Sequence, residues 1–349
     1  MTIITDTAPS VSISEGASSD AFALHPGYNR MFRADHLTVG IFLPLRFYHG
    51  SMSVLEGQAE LVGSIDRHGF AAVWLRDVPL FDPGFGDAGQ VFDPFTYLAY
   101  LAAKTERVAL ATGSAVFSLR HPIDLAKMAT TIDQLSGGRL VLGIASGDRP
   151  VEFPAYGVDF DTRGQRFAEA VAWFRRLVAE GSPSINGRLG AMTGADLLPK
   201  AATGRIPLIV TGSSRQTPEW VATHADGWLT YPQPTHTPEG PKRLAKNIRA
   251  WREKIGGGGF RPHMTNEWLD LVADPHFPRT PLQGGFVLRT GRNGLIDLLG
   301  EWRDAGVNHA ALGIQFSERP AAEIIQELAE EVLPLFPSHE GPAPLSAKW

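Results

Sequence analysis

Asp133-Gln134-Leu135-Ser136-Gly137-Gly138-Arg139-Leu140-Val141-Leu142-Gly143-Ile144 decides the fold. A helical stretch stops at a pair of glycines, and an almost unbroken apolar run follows at once. Glycine accepts the left-handed backbone that ends a helix. An apolar run without alternation is buried on both faces, as a strand of a parallel sheet is. The same joint recurs at Arg67-His68-Gly69-Phe70 before Ala71–Leu75, at His224-Ala225-Asp226-Gly227 before Trp228, and at Asp304-Ala305-Gly306-Val307 before His309–Ile314. Read outward from these joints, the chain predicts strands at 37–43, 71–75, 108–115, 140–144, 208–211, 228–231, 267–272 and 309–314. Helices are predicted between them at 54–67, 94–105, 123–135, 162–179, 218–224, 241–253, 293–304 and 321–333. Eight helix–strand units point to an α/β fold closed as a (β/α)8 barrel. A doubly wound open sheet lacks support, because no Gly-x-Gly-x-x-Gly follows the first strand.

Three stretches break the pattern. Residues 182–205 are rich in Gly, Ala and Pro, four glycines stand at 256–259, and the Pro-rich stretch 274–290 reads as an insertion after the seventh strand. The expected organisation is an N-terminal extension over 1–35, whose first 20 residues read as a loose tail, then one barrel domain over 36–336, and a loosely docked C-terminal tail over 337–349.

Composition removes whole classes of function. The 349 residues contain no cysteine, which excludes disulfides, thiolate metal sites and a cysteine nucleophile. A net charge of −5 offers no basic surplus for nucleic acid. No apolar run reaches the roughly 20 residues of a bilayer span, and the N-terminal residues do not read as a secretory signal. A cytoplasmic location is therefore expected. No His-Glu-x-x-His, Gly-x-Ser-x-Gly or P-loop occurs, and no metal site is expected.

The remaining chemistry clusters at predicted strand ends, where a barrel builds its active site. After Leu208–Thr211 comes Gly212-Ser213-Ser214-Arg215-Gln216-Thr217-Pro218, a loop rich in donors that opens a helix. Thr217 suits the N-cap and Pro218 the first helical position. The loop reads either as an anion site or as an ordinary capped connection. After the fourth strand comes Ser146-Gly147-Asp148-Arg149, and after the third Thr112-Gly113-Ser114-Ala115, small enough to admit a flat ring against the backbone. Asp77, after the second strand, and His121, before Pro122, are the candidate acid–base groups; Arg76 and Asp77 emerge together at the barrel mouth, as either a rim ion pair or a polar contact to ligand. Phe47–Ser51, the stretch 81–92 with Phe81, Phe85 and Phe92, and 274–285 are candidate walls of a substrate pocket.

Thr112–Val116, His121-Pro122, the 133–147 segment and Gly212-Ser213-Ser214 with Thr217–Trp220 together resemble the luciferase-like flavin monooxygenases, over 37–231 and again over 291–314. The resemblance implies a bacterial-luciferase-type (β/α)8 barrel, a homodimer, and FMN across the mouth, with the deazaflavin F420 as the alternative. The phosphate would meet Ser213, Ser214 and Thr217, with Gly212, Arg215 and Gln216 nearby. The ring would rest on a bulge with a non-prolyl cis peptide at Ser114–Ala115, and Ser146 and Gly147 would touch the cofactor. The implied activity is oxygenation of a small organic substrate by reduced flavin, fed by a separate NAD(P)H:flavin reductase. A flavin-binding barrel without turnover is the other possibility. Two departures bear on this: Arg76-Asp77-Val78-Pro79 stands where luciferases carry a catalytic histidine, and Ser146 where they carry a phosphate-binding arginine. Light emission is not implied.

Overall fold

A computed structural model describes residues 19–46, 57–82, 84–85, 91–257 and 259–345. The tail up to residue 18, the proposed wall 47–51, residues 83 and 86–90 of the 81–92 wall, Gly258 and residues 346–349 lie outside the described residues.

The strands are β1 (Thr38–Leu43), β2 (Ala72–Leu75), β3 (Ala109–Val116), β4 (Leu140–Ala145), β5 (Ile185–Gly187), β6 (Gly190–Met192), β7 (Leu208–Thr211), β8 (Gly227–Thr230), β9 (His263–Leu271), β10 (Thr280–Leu282), β11 (Val287–Thr290) and β12 (His309–Gly313). The helices are α1 (Pro26–Met31), α2 (Gln58–His68), α3 (Pro94–Ala102), α4 (Pro122–Leu135), α5 (Glu152–Ala155), α6 (Arg163–Ala179), α7 (Pro218–His224), α8 (Glu239–Ile255), α9 (Arg292–Ala305) and α10 (Ala321–Glu327). Parallel pairing runs β1-β2-β3-β4-β7-β8-β9-β12 and returns to β1, closing the expected barrel. The insertion at 182–205 forms the β5–β6 hairpin. The one at 274–290 adds β10 and β11, with β11 parallel to the upper part of β9. β9 starts earlier than expected because polar residues hide its beginning: the Thr265 hydroxyl donates to the Thr230 carbonyl (2.8 Å), and His263 pairs with the Thr230 hydroxyl (3.0 Å).

Two faces of the sheet make two cores. Outward residues such as Val73, Leu110, Leu142 and Leu312 pack under the helices. Inward residues are mostly small or aromatic: Phe42, Ala72, Trp74, Ala109, Ala111, Val141, Met264, Trp268 and Ala311. One polar line crosses this interior. The indole N–H of Trp74 can only donate, so His309 Nε2 accepts it at 2.9 Å. His309 Nδ1 therefore donates to the Thr38 hydroxyl (2.7 Å), which donates to the Met31 carbonyl (2.7 Å). Burial holds His309 down to about 3, so the ring is neutral.

The line ends on α1, which lies beneath the barrel. Phe22, Tyr28, Met31 and Phe32 are buried there, and Arg30 donates to the Phe70 carbonyl just before β2. The described part of the 1–35 extension thus forms the barrel floor. The C-terminal stretch docks beside it: His339 N–H donates to the Arg30 carbonyl (3.1 Å), and Leu345 N–H to Gly137 (2.9 Å). No helix among the described residues is long and apolar enough to cross a membrane.

Candidate active site

The C-terminal strand ends form the mouth. Its most irregular point is on β3, where Thr112 pairs with Leu142 but Ala115 with Ile144, leaving one extra residue on β3. The bulge holds a non-prolyl cis peptide at Gly113–Ser114, one bond earlier than the resemblance implied. Glycine stands in the bulge at 113 and on the facing strand β4 at 143. A Cβ on Gly113 would lie 2.6 Å from Phe42 Cζ, and one on Gly143 would overlap the Thr112 carbonyl. The Thr112 hydroxyl donates to the Gly143 carbonyl (2.7 Å), and the Ser114 hydroxyl meets that of Thr211, which joins the bulge to the end of β7. Ala115 is fully buried in the outer core, so only its backbone can serve the mouth. Ser146 is buried, its carbonyl accepting from Ser118 (2.7 Å). Gly147 has φ +81, and a Cβ there would meet Val116 and Phe153.

The β7 loop turns sharply: Gly212, Ser214 and Arg215 all have positive φ. For Ser214 and Arg215 this region is sparsely populated, so the surrounding loop must hold them there. The turn buries Ser214, whose hydroxyl donates to the Thr211 carbonyl (2.8 Å). Ser213 and Arg215 remain exposed, and Gln216 reaches across to the Gly164 carbonyl (2.8 Å). Thr217 caps α7, accepting from Trp220 N–H (3.2 Å). The loop packs on the start of α6, where Gly164 leaves room for Arg215. Arg163 stands beside it with its guanidinium 3.5 Å from the centre of the Phe160 ring. Partial burial, and then the like charge of Arg215, pull the Arg163 guanidinium below its ordinary value. Two cations and the Ser213 hydroxyl share one patch, an arrangement that favours an anion.

The two acid–base candidates are engaged elsewhere. Asp77 is buried; one oxygen accepts from Arg120 Nη2 (2.8 Å), and the other accepts from Val116 N–H (2.8 Å) and from Arg120 Nη1. Burial pushes its carboxyl up, opposed by Arg120. It ties the end of β2 to the end of β3. His121 caps α4, accepting from Ile123 N–H at Nδ1 (3.2 Å), and its Nε2 donates to the Leu189 carbonyl of the β5–β6 hairpin (2.9 Å). Both ring nitrogens are used in structure.

Arg76, expected at the mouth, is there, and the sequence reading missed the aromatic cluster it sits on. Arg76 follows Trp74 on the inward face of β2, and its guanidinium lies 5.1 Å above the Trp268 ring. Trp268 contacts Phe42 (5.5 Å), Phe316 (5.9 Å) and Phe286 (6.1 Å). Phe286 comes from the 274–290 insertion, one residue past the stretch expected as a wall. Phe81, Phe85 and Phe92 are exposed, with Arg149 over Phe85 at 4.0 Å. At the start of α5, Glu152 is buried, and burial pushes its carboxyl up to about 7, against the Leu80 N–H and Arg149. An inward-facing parity count along β9 would have found Trp268.

Comparison with known proteins places this geometry. A family model described as luciferase-like monooxygenase matches residues 37–262. Pyrimidine monooxygenase RutA of Bradyrhizobium sp. is 32% identical over 233 residues, which cover 61% of this chain and 62% of that protein. Among solved structures, monooxygenase RslO1 from Streptomyces bottropensis superposes with a TM-score of 0.72 at 23% identity, over 86% of this chain and 99% of that one. An F420-dependent secondary alcohol dehydrogenase gives 0.69 at 18%, over 85% and 98%. The oxygenating constituent of 3,6-diketocamphane monooxygenase from Pseudomonas putida, in complex with FMN, gives 0.66 at 13%, over 86% and 98%. These three likenesses establish the barrel fold.

Proposed function

The chain belongs to the luciferase-like monooxygenase family, and on that footing we propose that it is an FMN-dependent oxidoreductase that oxygenates a small organic substrate. The observation that carries the cofactor reading is the patch of Ser213, Arg215 and Arg163 on the β7 loop and α6, close to a glycine-built bulge that Ser114 joins to the end of β7. Phosphate and flat ring thereby each find matching chemistry. Arg163 and Arg215 would hold the phosphate through charge-assisted hydrogen bonds, with Ser213 and the backbone of the β7 loop beside them. The backbone of Gly113, Ser114 and Ala115 would carry the ring, since side chains on Gly113 and Gly143 are sterically forbidden. Reduced FMN supplies the electrons and, with O2, the oxygen-transfer chemistry. The protein orients the cofactor and keeps water out: the interior below the mouth is filled by Trp74, Ala111 and Met264 and closed beneath by α1. Asp77 and His121 are both engaged in structure, so this reading gives them positioning and not acid–base chemistry.

A separate NAD(P)H:flavin reductase would renew the reduced cofactor, and exposed Tyr100 and Phe92 beside α3 support the expected homodimer, which sedimentation would measure. Titration with FMN, riboflavin, FAD and F420, followed by flavin fluorescence, tests the cofactor. Tight FMN binding with much weaker riboflavin binding is expected. Arg163→Ala should weaken FMN roughly tenfold or more and leave riboflavin unchanged. A preference for F420 would replace oxygenation with deazaflavin hydride transfer. Absence of binding by all four would overturn the reading.

A further inference from the structure

We propose that the chain leaving β2, over residues 78–82 and 84–85, is a strap latched across the end of β3, and that the cofactor enters and leaves the β3 bulge only when the latch opens. The proposal rests on the flavin reading for the identity of that cofactor, and on the structure alone for the latch.

Three contacts carry the chain sideways. β3 lies between β2 and β4 in the barrel. Just past β2, Asp77 accepts from the Val116 N–H at the end of β3 (2.8 Å). Three residues on, the Leu80 N–H faces the carboxyl of Glu152, which starts α5 beyond β4. Phe85 then takes the Arg149 guanidinium over its ring, 4.0 Å from the ring centre, on the loop after β4. A chain that starts at β2 and is held beyond β4 passes the end of β3, the strand that carries the Gly113–Ser114 bulge.

The two sides of the latch differ. Arg149 and Glu152 are buried, and Phe153 beside them is fully buried and packs with Val116 and Leu119, so the receiving side is seated on the end of β3. The strap is not seated in this way. Leu80 is 40% exposed and Phe81 61%. Low local burial is what lets a segment open without unfolding its neighbours. The tip keeps its own shape through local bonds: the Gly84 N–H donates to the Asp82 carboxylate (2.8 Å), and the Phe85 N–H to the Asp82 carbonyl (3.1 Å). It can therefore leave Arg149 and return as one piece. A single cation–π contact is weak enough for the open state to stay populated and strong enough to bias it.

A latch has a kinetic signature that a binding contact lacks. Weakening it raises the open population both before and after the ligand binds, so association and dissociation quicken together. Loss of a direct ligand contact changes mainly dissociation. FMN is mixed with the whole chain by stopped flow and followed by flavin fluorescence, and hydrogen exchange of the 78–85 amides is measured without flavin. Phe85→Ala should quicken both FMN rates roughly three- to tenfold while Kd changes by less than about twofold. Amide exchange over the strap should quicken by a similar factor. Phe85→Trp, which keeps an aromatic face under Arg149, should restore both readouts. Dissociation that quickens alone, or amide exchange that is the same in Phe85→Ala as in the unsubstituted protein, overturns the proposal. FMN that binds but exchanges at unchanged rates in Phe85→Ala also overturns it and leaves the flavin reading intact. If FMN does not bind the unsubstituted protein, the flavin reading fails, and the latch stands or falls on amide exchange alone.

Discussion

Asp77 illustrates why a residue's position in sequence does not give its role. At the end of an apolar strand, a lone carboxylate reads as a candidate base. In the fold both its oxygens are occupied, by Arg120 and the Val116 N–H. Removing one member of a buried pair leaves the other charge uncompensated. Asp77→Ala is expected to lower unfolding stability by about 3–5 kcal/mol in urea titration. Any pH dependence of turnover should survive in Asp77→Asn, because this group carries no proton in the reaction. His121 and Thr217 were legible as helix starts, and both are caps. Thr217→Ala should cost about 1 kcal/mol of stability, read from the same titration. Ser214 was expected on the phosphate, but the left-handed turn aims its hydroxyl at Thr211. Ser213, expected beside it, and Arg215 face outward. Local spacing could not show this, because backbone torsions decide which side chains of a loop face outward.

At the scale of elements, the Gly joints were legible because the physics is local. Gly69 and Gly306 end α2 and α9 with φ near +90, at 89° and 96°. The third joint works otherwise: Gly227 lies inside β8, where a Cβ would press on Ile209 Cδ1 at 2.7 Å. Hidden beside the joints is a repeated polar device. Asp66 accepts from Glu106, Arg107 and Val108 N–H groups (2.8, 3.0 and 2.6 Å), ahead of β3. Asp133 accepts from Ala202 N–H (2.7 Å), Asp226 from Leu208 N–H at the start of β7 (2.9 Å), and Asn308 from His263 N–H at the start of β9 (3.1 Å). Each carboxylate or amide satisfies backbone donors at the bottom of the barrel, where polar residues serve stability. The partners are far apart in sequence, so no local pattern could reveal them. Asp66→Ala should strip three donors of their acceptor and cost about 2–3 kcal/mol, measured by thermal unfolding, with cofactor affinity unchanged.

For the molecule as a whole, buried titratable groups set a pH window. Burial pushes Asp133 from 3.8 up to about 7 and Glu267 from 4.5 up to about 8. Their contribution to stability is complete at low pH and is lost as pH rises toward those values. Burial pulls His25, His263 and His309 from 6.5 down to about 3, so their contribution is lost as pH falls through that range. Between about pH 4.5 and 6.5 the three histidines outweigh the two carboxyls, so the melting temperature should rise gently with pH there, peak near pH 6.5 and fall above it. Glu267→Gln should flatten the alkaline limb in a scan from pH 6.5 to 8; an unchanged slope would assign that limb to other groups. The floor of the barrel has a different consequence, one of timing. Thr38, which anchors α1, finds its partner His309 271 residues later. A ribosome delivers the floor first and the strand that locks it last. Until β12 emerges, Phe22, Tyr28, Met31 and Phe32 lack the closed barrel they cover, and a nascent chain carries an apolar patch at its leading end. The burial of that patch marks the moment the barrel has closed.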